Sequence, residues 1–152
     1  FMAKIYWFTG QPGHGKTVLA KKLVEFLQTE KRNWRKQVFH LDSDDLLELT
    51  NNNKDSIIYA QTIVEYIYKN DSDVVVSLVS PNKKVRDEFK EKIGEDFEEF
   101  YVHTTQKREK DHLFIKDYQK PEVKYFDVDT TKDNPNQSFT KIIHYLRENN
   151  QI

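Results

Sequence analysis

Residues 10–17 read Gly10-Gln11-Pro12-Gly13-His14-Gly15-Lys16-Thr17, and they decide how the rest of the chain folds. Three of the four glycines in the 152-residue protein fall inside this stretch; the fourth is Gly94. The pattern is Gly-x-x-x-x-Gly-Lys-Thr. Glycines let the backbone curl so that its N–H groups face phosphate oxygens. A helix that starts at Lys16 adds its free N-terminal donors and the positive end of its dipole. In such a loop the lysine carries positive charge to the β- and γ-phosphates, and the hydroxyl of Thr17 sits on Mg²⁺. The stretch predicts a nucleoside-triphosphate site formed by Gly10, Gln11, Pro12, Gly13, His14, Gly15, Lys16 and Thr17.

The flanks supply the strand–loop–helix context that the motif needs. Lys4–Thr9 (KIYWFT) is a β-branched and aromatic run, read as a buried strand. From Lys16 to about Leu27, the apolar positions Val18, Leu19, Leu23, Phe26 and Leu27 recur at helical spacing. Further strands are expected at Gln37–Leu41, Asp73–Val79, Glu98–His103 and Lys124–Asp129, and the second of these is apolar enough for a central parallel strand. Helices are expected at Ser43–Leu49, Ile57–Tyr68, Asn82–Ile93 and Pro135–Arg147, with Pro135 suited to a first turn. This alternation predicts an α/β three-layer sandwich, a P-loop kinase fold, with a parallel sheet of about five strands and helices on both faces. Residues 2–152 are expected to form a single domain; Phe1 stands before Met2 and is set aside. The charged, weakly periodic stretch at about 104–123 exceeds an ordinary connector and reads as a lid.

Composition narrows the possibilities. Hydrophobic residues make up 37% and charged residues 32%, with no apolar run long enough for a membrane span and no signal-peptide pattern. The chain has no cysteine, which removes disulfides, thiolate zinc sites and cysteine nucleophiles, and fits a reducing, cytoplasmic setting. A formal net charge of −1 gives no overall attraction to nucleic acid. The five histidines show no ligand spacing and are given no metal role. Lys31–Lys36 (KRNWRK) could contact phosphates around Trp34, but reads more simply as a solvated loop after a helix.

His40–Asp45 (HLDSDD) brings carboxylates to the end of the second strand. Asp42 is suited to hold Mg²⁺ or its waters, and Asp44 to orient an attacking hydroxyl. The alternative is that Ser43 or Asp44 caps the next helix; for Asp45 the functional and capping readings are equally open. No Asn-Lys-x-Asp signature is present, which disfavours a GTPase.

Over most of its length the chain resembles the adenylylsulfate kinases. Residues 8–17 (FTGQPGHGKT) look like the family's phosphate loop, and 41–45 (LDSDD) like its Leu-Asp-Gly-Asp segment. Residues 74–81 (VVVSLVSP) are similar to its strand ending in Ser-Pro, and 116–131 (KDYQKPEVKYFDVDTT) to its closing segment. The resemblance implies an ATP-dependent kinase that phosphorylates a hydroxyl of a nucleotide-like acceptor. It implies Asp44 as base or orienter, Pro81 on the acceptor side, Thr130 at the nucleotide, and a mobile lid; Ser80, at the C-terminal end of a central strand, is suited either to bind the acceptor or to cap the next helix. Of the lid cations, Arg108 is chosen to stabilise the transferring phosphoryl group, with Lys107 and Lys110 as competitors.

The acceptor half departs from the family. Leu47 stands where the family has a substrate-binding arginine, Thr50–Ser56 (TNNNKDS) replaces its Phe-Arg-Asn segment, and 104–114 (TTQKREKDHLF) replaces its Gly-Leu-Tyr-Lys-Lys motif. Weak activity on adenylylsulfate is therefore expected, with better use of another nucleoside-containing acceptor. Two acceptors compete: a free sulfonucleotide or related small nucleotide, and hydroxymethyluracil in modified DNA. A non-catalytic nucleotide-binding module is a third reading, against which the carboxylates beside the loop argue. The oligomeric state stays open, a homodimer included.

Overall fold

The computed structural model describes residues 3–29, 37–46 and 56–152, together with the backbone of 47–49. The strands are β1 (Ile5–Thr9), β2 (Val38–Asp42), β3 (Asp73–Ser77), β4 (Phe97–His103) and β5 (Phe126–Asp129). The helices are α1 (Lys16–Thr29), α2 (Ser43–Leu49), α3 (Ser56–Lys69), α4 (Lys83–Ile93) and α5 (Pro135–Glu148). The sheet order is β2-β3-β1-β4-β5, and every neighbouring pair is parallel. This is the three-layer α/β architecture that the alternation of elements predicts.

Side-chain alternation along the strands divides the core in two. Ile5 and Trp7 of β1 point into one layer with Val74, Val76, Ala60, Val64 and Phe89, under α2, α3 and α4. Tyr6 and Phe8 point the opposite way, into a layer with Leu19, Leu23, Phe100, Ile142 and Leu146, under α1 and α5. Both faces of β1 and β3 are covered, and every residue of these two strands is buried. That is why their sequences run apolar without alternating.

Two expected strands prove shorter. β3 ends at Ser77, because Ser80 adopts a left-handed backbone (φ 51°) that turns the chain off the sheet edge. β5 starts only at Phe126, since Lys124 is also left-handed (φ 50°). α5 opens as expected: the Asn134 carboxamide accepts from Gln137 N–H at 2.9 Å, Gln137 returns the bond to Asn134 N–H at 2.8 Å, and Pro135 fills the first turn.

One buried ion cluster ties α4 to the sheet. Glu99 of β4 is fully buried, receiving Arg86 Nε at 3.1 Å and Lys90 Nζ at 2.6 Å. The rest of the Arg86 guanidinium donates to the carbonyls of Ser80 and Gln119 and lies over the Tyr118 ring. Such a cluster adds little net stability over an apolar replacement, but losing one partner strands a buried charge. Here it fixes the end of the 104–123 segment against the loop that follows β3. Among the described residues, no helix is long and apolar enough to cross a membrane.

Candidate active site

The loop 10–15 leaves the central strand at its C-terminal end and runs straight into α1. That is where open α/β sheets place their ligands. Gly10 lies so close to β4 that a Cβ there would collide with the Val102 carbonyl oxygen, so no side chain fits. Lys16 is buried, and its Nζ donates to the Gln11 carbonyl at 2.8 Å. Burial, with the Lys110 charge adding to it and Asp42 opposing it, lowers the ammonium to about 8.

Next to it the β2–β3 register pairs Asp42 with Ser77. Thr17 Oγ1 donates to Asp42 Oδ1 at 2.8 Å, and Ser77 Oγ donates to the same oxygen. Because the Ser77 proton is committed to Asp42, His40 must donate through Nε2, which lies 2.8 Å from Ser77 Oγ. Burial alone would raise the Asp42 carboxyl, but the bonds from Ser77, Thr17 and the Asp44 N–H outweigh it and hold it below the ordinary value.

The capping alternatives resolve differently from expectation. The Asp44 N–H points to Asp42 Oδ2 at 3.5 Å, and Asp45 Oδ2 accepts from Asp42 N–H at 3.1 Å. Asp42 therefore occupies the cap position, and Asp45 answers it in a reciprocal pair; neither Ser43 nor Asp44 caps. The Asp44 carboxylate is exposed and has no hydrogen-bond or ion-pair partner among the described residues.

The 104–123 segment lies on the loop. A Cβ on Gly13 would meet Lys110 Cβ at 2.9 Å, with Arg108 Cβ 3.8 Å away. Arg108 is half-buried, its Nη2 3.4 Å from the Thr130 carbonyl and its Nε buried without a partner. Lys107 is exposed. His14 packs edge-on against Phe114, with ring centroids 5.2 Å apart and both ring nitrogens buried without partners. Burial first, then the charges of Lys16 and Arg108, lower its pKa against the opposing pull of Asp111, so the ring stays neutral.

Three residues expected at the ligand already have partners within the chain. Ser80 is buried and its Oγ accepts from the Trp7 indole at 3.0 Å, while α4 is capped by Asn82 rather than by Ser80. The Pro81 carbonyl is taken by Gln119 N–H at 2.9 Å. Thr130 Oγ1 lies 3.1 Å from the carbonyls of both His14 and His103, so its hydroxyl braces the phosphate loop from behind. The Lys31–Lys36 stretch and Thr50–Asp55 lie outside the described residues.

A triphosphate with Mg²⁺ fits what is present. A Cβ on Gly15 would meet nothing within 4 Å, so the inner curve of the loop faces open space. Lys16 follows directly, and the first backbone N–H groups of α1 come with it. Thr17 and Asp42 offer hard oxygen ligands. Among the described residues, no cluster of three or more His, Asp or Glu side chains could hold a metal by itself. Mg²⁺ takes one or two protein oxygens and completes its shell with phosphates and water.

Comparisons with known proteins bear on the family and the fold. The adenylyl-sulfate kinase of Halothermothrix orenii is 29% identical over 171 aligned positions, spanning 96% of this chain and 90% of that protein. The adenylyl-sulfate kinase of Staphylococcus epidermidis is 26% identical, spanning 97% and 86%. The Mycobacterium tuberculosis APS kinase CysC, solved in complex with AMPPNP and APS, superposes with a TM-score of 0.77 at 19% identity, over 95% of this chain and 98% of that one, and shares the fold. These relatives are kinases by name, and they lend no support to modified DNA as the acceptor. The model of the adenylylsulphate kinase family matches residues 2–139, and the chain belongs to that family.

Proposed function

We propose that the protein transfers the γ-phosphoryl group of ATP to a hydroxyl of a small nucleotide-like acceptor, as its family membership suggests. The observation that carries this is the Thr17–Asp42 pair beside Lys16, with Asp44 exposed in the first turn of α2 and without a partner among the described residues. Residues 10–17 would hold the phosphates, and Thr17 and Asp42 would hold Mg²⁺, whose chemistry there would be to offset phosphate charge. The bond from the γ-phosphorus to its bridging oxygen breaks, leaving ADP, while a new bond forms to the acceptor oxygen. The acceptor's proton passes to Asp44 and on to solvent. Arg108, with Lys110 beside it, offsets charge on the transferring group once the 104–123 lid is down.

Lys16 makes this reading sensitive to alkali. In the empty site its pKa is about 8, and bound phosphates stabilise the ammonium. Below pH 8 the charge is already there; above it, binding must first take up a proton. The Kd of a non-hydrolysable ATP analogue should rise up to about tenfold per pH unit above 8. Lys16→Arg, always protonated, should flatten that rise in calorimetric titrations.

The acceptor is tested by substitution at position 47, which lies on α2 three residues after Asp44. A guanidinium there would offer charge-assisted bonds to an anionic acceptor, and leucine cannot. The kcat/KM on adenylylsulfate should fall below the ~10⁴ M⁻¹s⁻¹ floor of ordinary enzymes, and Leu47→Arg should raise it about tenfold or more. In a screen of adenylylsulfate and related nucleotides against γ-labelled ATP, label should enter at least one nucleotide. Label released only as inorganic phosphate would overturn the reading.

A further inference from the structure

We infer that Gln11 is a positioning residue whose side chain registers the lid onto the phosphate loop. This rests on the kinase reading above and adds a residue to it. Gln11 belongs to the phosphate-binding motif by sequence, but its carboxamide turns away from the loop's inner curve. Its Nε2 donates to the Ile115 carbonyl at 2.9 Å, and its Oε1 accepts from the Ile115 N–H, also at 2.9 Å. The amide thus pairs with one backbone residue at both its groups, as a neighbouring strand would. A two-point bond of this kind fixes register as well as distance.

The contacts on either side make the register consequential. Gly13 leaves no room for even a Cβ beneath Lys110, so the lid lies flush on the loop. Phe114, next to Ile115, packs on the edge of His14. Farther along, Tyr118 OH lies 2.9 Å from Thr9 Oγ1; the Thr9 proton goes to the Val79 carbonyl at 2.7 Å, so the phenol donates. The cations that face the phosphates, Arg108 and Lys110, lie at the near end of the lid, whereas Arg86 and Lys90 anchor the far end. Between the two ends, Gln11 is the point at which a loop residue grips the lid backbone. A lid slipped by one residue would carry both cations off the site while leaving the core intact.

Gln11→Met keeps the length and removes both bonds; Gln11→Asn keeps the amide but is one methylene too short to reach both groups. Two readouts need no phosphoryl transfer: hydrogen exchange at the Ile115 amide, and trypsin cleavage after Lys107, Arg108 and Lys110. In both variants of the full chain each should rise about tenfold, the weight of two partly exposed neutral hydrogen bonds. Exchange in β1, β3 and β4 and the melting temperature should not change. With ATP and an accepted nucleotide, kcat should fall about tenfold while KM for ATP moves less than about threefold, because the substitution leaves the backbone of the loop and the Lys16 bond to the Gln11 carbonyl in place. Unchanged Ile115 exchange in Gln11→Met would overturn the inference. So would a uniform rise in exchange with a lower melting temperature, which would make Gln11 a general stability residue. A wild-type protein that transfers no phosphoryl group but shows the Ile115 effect would sink the kinase reading and leave the lid registration standing.

Discussion

Lys16→Ala should reduce phosphoryl transfer by about 10³-fold or more while leaving the fold intact. The lysine is buried, yet no core packing depends on its head group: its one bond goes to the Gln11 carbonyl, and burial already lowers its pKa. A cation held in that state is positioned for charge that arrives with a ligand. In phosphoryl transfer such charge carries much of the rate, because the protein has little covalent chemistry to perform. Steady-state kinetics beside a thermal melt checks both halves. Near-normal turnover would remove the phosphate-loop assignment; a collapsed melt would mean that Lys16 holds the loop together.

Asp44→Asn should lower kcat by ~10²–10⁴ with ATP affinity changed less than about threefold. The two neighbouring carboxylates differ in what holds them. Asp42 is bound by Thr17 and Ser77 and caps α2, so its substitution should weaken ATP–Mg²⁺ binding. Asp44 stands exposed in the first turn of α2, and gives nothing to the fold that an amide could not. Separate measurements of kcat and of analogue binding distinguish the roles. A loss confined to ATP binding would make Asp44 a metal-site residue, and unchanged turnover would leave it no part in proton transfer.

The sheet was legible because its central strands are written as continuous apolar runs next to a motif with only one structural context. The ends of elements were less so. Nothing in the letters of Ser80 or Lys124 announces the left-handed backbone that shortens β3 and β5. The phosphate loop, Lys16 and the Thr17–Asp42 pair follow directly from spacing. The His40–Ser77–Asp42 chain does not, since it depends on which strands become neighbours and in what register. Arg86 reads as one more cation on a charged helix; only its helical phase with Phe89, three residues on, hinted that it faces inward. The 104–123 segment stood out by length alone. Its contacts with the loop and with the end of β1 run through single side chains, Gln11 and Tyr118, and such contacts leave no periodic trace. Ser80 was legible as a strand-end position, but not the bond that its Oγ accepts from the Trp7 indole, which depends on how β1 and β3 pair.

The central claim is that Lys16, Thr17, Asp42 and Asp44 together pass a phosphoryl group from ATP to a nucleotide hydroxyl. Phosphorus NMR of the wild-type protein with ATP–Mg²⁺ and adenylylsulfate or a related nucleotide tests it most directly, since donor, product and free phosphate are counted in one spectrum. A new phosphomonoester resonance should grow in step with ADP, one for one, and at least ~10²-fold more slowly with Asp44→Asn. ADP matched by inorganic phosphate with no new ester, or no ADP with any nucleotide supplied, would contradict it.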